Sequence, residues 1–334
     1  MKVATGSVIG SSLLAGCLGD NGAGDYPPST MTFVNAYSEG GGVDTNMREI
    51  QPYLEEELDT NFDIEYRDGA GTRVAANTVA QEPELHSIGG TLSPATPAAV
   101  AIDEYEGDEL EFTLDDIRPV GTISEEAAVI RVREDEDRFT TIEELVEYGE
   151  DNPGELTVGS SGPTNRNVLS VIQLMEETDA EFQIVPYDGG GPTETALLQE
   201  EIDVAARSVY NSADVNDETL CLTIYAEENP EPDLTDDAPP VNDALGTDID
   251  YDPSNGIQFY FVSADAADEY PDRFDTVVDA LEAAMQNDEY IEDLEEIGEE
   301  DKVFHNGPDE TEEILENAYE TYVEFAPMFD EYVQ

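Results

Sequence analysis

Read for periodicity, the chain alternates between two patterns. Short runs of four to seven mostly apolar or alternating residues recur at Met31 to Ala36, Phe62 to Tyr66, Ser87 to Thr91, Pro119 to Ile123 and Ala127 to Val132. They recur again at Leu156 to Gly159, Phe182 to Pro186, Val204 to Val209, Leu220 to Tyr225 and Ile257 to Ser263. These lengths and this content predict strands. Between them lie stretches with apolar residues every three or four positions, which predicts helices. Thr45 to Leu58 carries Met47, Ile50, Leu54 and Leu58 on one face. Further helices are predicted at Ile142 to Glu150, Asn167 to Glu176 and Thr193 to Glu200. Two longer ones close the chain, marked by Phe274, Val277, Val278 and Leu281, then by Ile314, Leu315, Ala318, Tyr319, Tyr322 and Val323. Such alternation predicts an α/β fold with mostly parallel sheets. The acidic stretch Glu227 to Pro240 reads as a loop. No internal repeat, heptad or transmembrane span is evident.

Glycine marks three of the strand-to-helix joints. They are Ser38-Glu39-Gly40-Gly41-Gly42-Val43-Asp44, then Gly159-Ser160-Ser161-Gly162-Pro163-Thr164-Asn165, then Asp188-Gly189-Gly190-Gly191-Pro192-Thr193. A turn without side chains lets backbone N–H groups approach a ligand, and the helix that follows favours negative charge at its start. Pro192 suits a first helical turn, and Asp44 is placed to cap its helix. Three such turns facing one cleft would hold an anion with no catalytic group. Neither the phosphate loop nor Gly-x-Gly-x-x-Gly is present. Each turn taken singly is also what ordinary strand-to-helix packing uses.

Charge narrows the options. The 334 residues include 81 Asp and Glu against 12 Lys and Arg, a formal net charge of -69. The acids are spread along the chain rather than gathered in a tail. That distribution describes an acidic surface adapted to molar salt, where self-repulsion is screened. Nucleic-acid binding is excluded, since no basic patch offsets the repulsion from phosphates. His86 and His305 match no metal or triad spacing, and Ser160-Ser161 is not a nucleophile elbow. No cofactor, metal site or catalytic residue is expected.

The N-terminus carries Lys2, the apolar run Val3 to Leu14, and Leu14-Ala15-Gly16-Cys17. This resembles a lipoprotein signal peptide over residues 1–17, with lipid carried on Cys17 and a tether over 18–29. A single Lys makes its positive region weak. Cys221 lies in an apolar run and reads as a small buried hydrophobe.

Several segments, in order, resemble the tripartite tricarboxylate transporter receptor family, the Bug-type extracytoplasmic solute-binding proteins, in an acidic, haloarchaeal-like form. These are Val34 to Asp44, Arg67-Asp68-Gly69-Ala70-Gly71, Leu156 to Gly162, and Val185 to Pro192 followed by Ile202-Asp203. The resemblance runs over nearly everything from Thr30 onward. It implies a two-lobed periplasmic-binding-protein type II fold with the ligand cleft between lobes. Residues 30–123 and 226–334 would form lobe 1, and 124–225 lobe 2. It implies a receptor, not an enzyme, acting as a monomer at the outer face of the membrane, where the lipobox-like segment would anchor it. Its partners would be a small di- or tricarboxylate and the permease subunits of the transporter. Carried over, the ligand contacts are Tyr37, Ser38, Gly40, Gly41, Asp44, Ser160, Ser161 and Gly162, with Thr91, Ser93 and Tyr187 as weaker candidates. Departures include Ser38-Glu39 for a proline pair, Asp68 for proline, Asp188 for lysine and Val168 where many members have histidine.

With only ten arginines in the chain, their placement matters. Arg48, Arg67, Arg73, Arg166 and Arg207 all fall near these motifs. A guanidinium can bond both oxygens of a carboxylate, so Arg166 or Arg207 is a candidate clamp. The competing reading is that each pairs with one of the abundant acids. A sensory binding module and an unrecognised enzyme on the same fold are the alternatives to a transport receptor.

The charge itself yields a prediction. Raising KCl from about 0.1 M to about 1 M shortens the screening length from about 10 Å to about 3 Å. The thermal unfolding midpoint is expected to rise steeply over that range, and a midpoint indifferent to salt would contradict the reading of the acidic surface.

Overall fold

The computed structural model describes residues 26–107, 112–187 and 189–333. Two five-stranded sheets organise them. The first receives β1 (Thr30–Asn35), β2 (Asn61–Tyr66), β3 (Ser87–Ser93), β4 (Ile117–Glu126) and, much later in the chain, β10 (Gly256–Ser263). With it go helices α1 (Gly42–Leu58), α2 (Arg73–Ala80) and α3 (Ala95–Glu106), and later α8 (Ala264–Glu269), α9 (Pro271–Met285) and α10 (Asp288–Ile297). The second sheet holds β5 (Ala128–Arg133), β6 (Leu156–Ser160), β7 (Phe182–Pro186), β8 (Val204–Ser208) and β9 (Thr219–Ile224). Its helices are α4 (Ile142–Asp151), α5 (Arg166–Glu177), α6 (Gly190–Leu198) and α7 (Val241–Leu245). The last helix, α11 (Pro308–Tyr332), serves both: Leu315 packs in the core of the first lobe, and Phe329 in that of the second.

The strand orders are β2-β1-β3-β10-β4 and β7-β6-β8-β5-β9, the same plan twice. The sheets are mixed rather than mostly parallel. In each, two contacts are parallel and two antiparallel. The cause is the crossing between lobes. Strands β1 and β3 run towards the cleft, whereas β10 enters from it, so β10 must oppose β3. Likewise β5 arrives from the first lobe and opposes β8.

The lobe boundaries also differ from the sequence expectation. Strand β4 stays in the first sheet as far as Glu126, which pairs with Gly256. Residues 226–255, expected in lobe 1, pack on the second lobe. Pro240 bridges to Ile224, and Val241 and Ile249 are buried in that lobe's core. Ala238, Val241 and Ile249 are buried there, and Leu234, Ala244, Leu245 and Tyr251 pack alongside them. Part of this segment also closes over a buried charge. Arg131 donates to Ser212 Oγ at 2.9 Å, Thr219 Oγ1 at 3.1 Å and the Leu234 carbonyl at 2.5 Å.

Cys221 is buried as expected, and that burial pushes its thiol up to about 12. Cys17, with the expected signal peptide, lies outside the described residues. Helix α3 was not evident in the sequence. It is short of an amphipathic stripe because Ala98 and Ala101 bury against the second lobe's core while Val100 packs in the first.

Close packing fixes the centre of the first sheet. A Cβ added at Gly89 would sit 2.2 Å from Cζ of Phe261, a fully buried ring on the adjacent strand. Gly89→Ala is therefore expected to cost about 1–3 kcal/mol in chemical unfolding, since an overpacked core must shift backbone or ring. An unchanged midpoint would show that this region yields more easily than its geometry implies.

Candidate functional site

The first glycine turn is held by a buried carboxylate. Gly41 is the N-cap of α1 and Gly40 adopts φ +84°, a conformation suited to glycine. Asp44 lies within the first turn of the helix, not at the cap. Its Oδ2 accepts from Gly40 N–H at 2.9 Å and from Arg48 Nε at 3.0 Å, and its Oδ1 from Tyr66 at 2.8 Å. Burial alone would raise this carboxyl, but the three donors outweigh it and hold it below the usual carboxylate range. Glu39 points outward and reaches Arg48 at 3.9 Å, so it does not face the cleft. Asp44 thus shapes the turn instead of lining a cavity. Ser38 is exposed beside it.

The second turn is built the same way, from its own side chains. Ser160 is buried and donates to the Gly162 carbonyl at 2.8 Å. Asn165 caps α5, accepting from Val168 N–H at 3.1 Å, while its amide donates to Ser161 Oγ at 3.1 Å. Val168, at the position of the family histidine, is fully buried in the second lobe's core. At the third turn, Gly189 takes φ +102° and Gly190 begins α6. Asp188 lies outside the described residues.

The second and third turns meet at a cavity of about 880 Å³ between the lobes. One wall is α3, presenting Ala95, Ala98, Ala99 and Ile102. The other carries Ser161, Gly162, Arg166, Gly190 and Arg207. Tyr37 and Arg73 come from the first lobe, and Tyr322 from α11. A second cavity of about 450 Å³ lies under the first glycine turn, lined by Gly40, Gly41, Asn46, Ser124 and Lys302 among others. Tyr37, Leu92 and Arg166 form the wall common to both. Lys302 donates to Asn46 Oδ1 at 2.9 Å and Glu49 at 3.0 Å.

Of the residues singled out in the sequence, Tyr37, Ser161, Gly162, Arg166 and Arg207 reach the main cavity, and Gly40 and Gly41 the smaller one. Thr91, Ser93 and Ser160 are buried behind this surface. Thr91 Oγ1 lies 3.0 Å from Thr96 Oγ1, and its hydroxyl also bonds the Tyr37 phenol. Burial pushes that phenol up to about 12, against the Thr91 bond and the Arg166 charge. Tyr187 packs with Ile202 and Leu197 below the third turn. The buried side chains carry polar atoms, but their partners are inside the fold, which sequence spacing does not reveal.

Each arginine that faces the main cavity also holds an acid. Arg166 donates to the Glu126 carbonyl and Oε2, both at 2.9 Å. Arg207 pairs with Glu194, and Arg73 with Asp103. Two of the guanidinium groups depend on glycine for their space. A Cβ at Gly256 would lie 2.6 Å from Arg166 Cζ, and one at Gly190 2.1 Å from Arg207 Nη1. Gly256, Glu194, Asn167, Tyr322 and helix α3 were all missed in the sequence. Asn167 and Tyr322 were read there only as parts of helices, and nothing linked Gly256 to Arg166.

Comparison with known proteins gives the same reading of the chain. The profile of the tripartite tricarboxylate transporter family receptor matches residues 46–224. A UPF0065 protein of Bordetella pertussis is 28% identical over 191 residues, covering 57% of this chain and 58% of that protein. Another UPF0065 protein, from Pseudomonas sp. strain P51, is 26% identical over 185 residues, covering 55% and 54%. The chain thus spans little more than half the length of the curated relatives it matches. Among solved structures, a TctC solute binding protein from Polaromonas superposes with TM-score 0.71 at 17% identity, over 91% of this chain and 100% of that one. MatC of Rhodopseudomonas palustris, solved with malate, gives 0.70 at 20% identity over 90% and 100%. A further Rhodopseudomonas palustris protein, solved with adipate, gives 0.68 at 19% over 91% and 99%. The fold is theirs, and by the match over more than half its length the chain belongs to the tripartite tricarboxylate transporter receptor family.

Proposed function

We propose that this chain is a receptor that closes two lobes on a small carboxylate and presents it to a membrane permease. The observation that carries the reading is the cavity between the lobes, where Tyr37, the Ser161-Gly162 turn, Arg166 and Arg207 converge. Backbone amides and hydroxyls at a helix start favour an anion, and a guanidinium adds a planar pair of donors. The wall of α3 offers apolar surface for a carbon skeleton. Structures of similar fold were solved with malate and with adipate, which supports a di- or tricarboxylate here. The arrangement binds and orients; its serines and carboxylates are engaged in holding turns and arginines, which fits a receptor and not an enzyme.

In this reading Ser161 and Gly162 bind one carboxylate, with Tyr37 and Arg166 at its side and Arg207 towards the far end. Gly40 and Gly41 approach from the first lobe as it closes. Asp44, Ser160, Thr91 and Ser93 support these groups from behind, Ser38 lies at the rim and Tyr187 beneath the third turn. Ligand contact from both lobes would make the closed form the bound form. The lipobox-like segment ending at Cys17 fits a chain tethered as a monomer to the outer face of the membrane, and the acidic surface fits concentrated salt.

Calorimetric titration in molar salt with succinate, malate, citrate and adipate tests the proposal. At a hundred times its dissociation constant, the true ligand also adds about 2.7 kcal/mol to stability. Arg166→Gln with Arg207→Gln is expected to weaken binding by tenfold or more, as loss of charged hydrogen bonds of about 1.5–3 kcal/mol implies. Unchanged affinity in that double variant would remove the clamp, and no binding of any carboxylate by the native chain would overturn the ligand class.

A further inference from the structure

Helix α11 brings to the main cavity a side chain that its sequence pattern marks only as core. Tyr322 is fully buried. Its ring stacks on Phe329, with centroids 5.5 Å apart and planes 12° from parallel. Yet the residue lines the cavity, and its phenolic oxygen has no hydrogen-bond partner within the protein. Buried polar atoms are nearly always paired, and leaving one unpaired costs stability. A phenylalanine would fill the same space and stack the same way without that cost. Asn167, next to Arg166, shows the same feature at the same cavity: it is buried, and its Oδ1 is without a partner. Arg166 is close enough for its charge to act on the Tyr322 phenol.

We propose that Tyr322 is a ligand-contacting, specificity-determining residue whose hydroxyl donates a hydrogen bond to a carboxylate oxygen of the bound solute, beside Arg166. The inference rests on the reading of the cavity as a carboxylate site. Its consequence lies in where Tyr322 sits. Upstream of it, Leu315 packs in the first lobe's core; downstream, Phe329 packs in the second and Val333 bridges to Ile184 of β7. A solute bonded to Tyr322 therefore holds the element that both lobes share, in addition to the turns that belong to one lobe each.

The test compares Tyr322→Phe with Tyr260→Phe. Tyr260 is the matched control: also fully buried and without a partner for its phenol, but packed in the first lobe's core. Succinate, malate, citrate and adipate are titrated calorimetrically into each protein in molar salt, with a thermal melt of the ligand-free form. Y322F is expected to melt at or above the native temperature and to bind the preferred carboxylate about tenfold more weakly, as loss of one hydrogen bond to a charged group implies. Y260F is expected to bind as the native protein does. Native-like affinity in Y322F overturns the inference while leaving the receptor reading in place, and so does an equal loss in both variants. Absence of carboxylate binding by the native protein overturns both. Should Y322F fail to fold, 3-fluorotyrosine at position 322 reports the same contact: its fluorine resonance should move on saturation with the bound carboxylate, and a static resonance overturns the proposal.

Discussion

The guanidinium of Arg166 occupies the space that any side chain at position 256 would need. Much else depends on that fit. Gly256 and its strand partner Glu126 form the rung at which one crossing leaves the first sheet and the other returns to it. Arg166 belongs to the second lobe, as the first residue of α5, yet it donates two hydrogen bonds to Glu126. One side chain thus pins the helix that carries the Ser161 turn to the strands on which the lobes hinge. With Tyr37 and Leu92 it also forms the wall common to the two cavities. The pair is largely buried, so removing one partner would strand the other at a cost of about 3–5 kcal/mol.

A chain with a net charge of -69 has few cations to place, and it spends several of them at the cleft. Arg73, Arg166 and Arg207 face one cavity and Lys302 the other. Each keeps a carboxylate of its own, which holds the cation in place before any solute arrives. An arriving anion must then share a guanidinium that is already paired. That arrangement favours positioned donors over raw positive potential, and donors of this kind keep their geometry in salt strong enough to screen long-range attraction. Arg131 shows the other use of the residue. Buried among two hydroxyls and a carbonyl, it fixes the loop around Leu234 to the second sheet.

The glycine turns divide their work between conformation and access. Gly40 and Gly189 are needed for backbone conformation, while Gly190 and Gly256 make room for arginines. Behind them, Asp44, Ser160 and Asn165 use short polar side chains to fix each turn from within. The ligand-facing surface is left to backbone, to Ser161 and Tyr37, and to side chains that arrive from elsewhere in the chain.

What the sequence determined by itself was local. Period-two and period-3.6 patterns located the strands and most of the helices to within a few residues, because those periods are set by backbone geometry and by which face is buried. The glycine turns were legible for the same reason, as was the family, since its motifs are short and contiguous. Helix α3 was not, because it is buried on more than one side and so carries no polar face to mark it. Strand direction was not, because the crossings that reverse β5 and β10 are relations between segments more than seventy residues apart. The same limit applies to the site. Sequence placed Arg166 and Arg207 near the motifs, but only the tertiary structure put Gly256 beneath one, Gly190 beneath the other and Tyr322 beside the first, because a cavity is a property of surfaces that meet and not of neighbours along a chain.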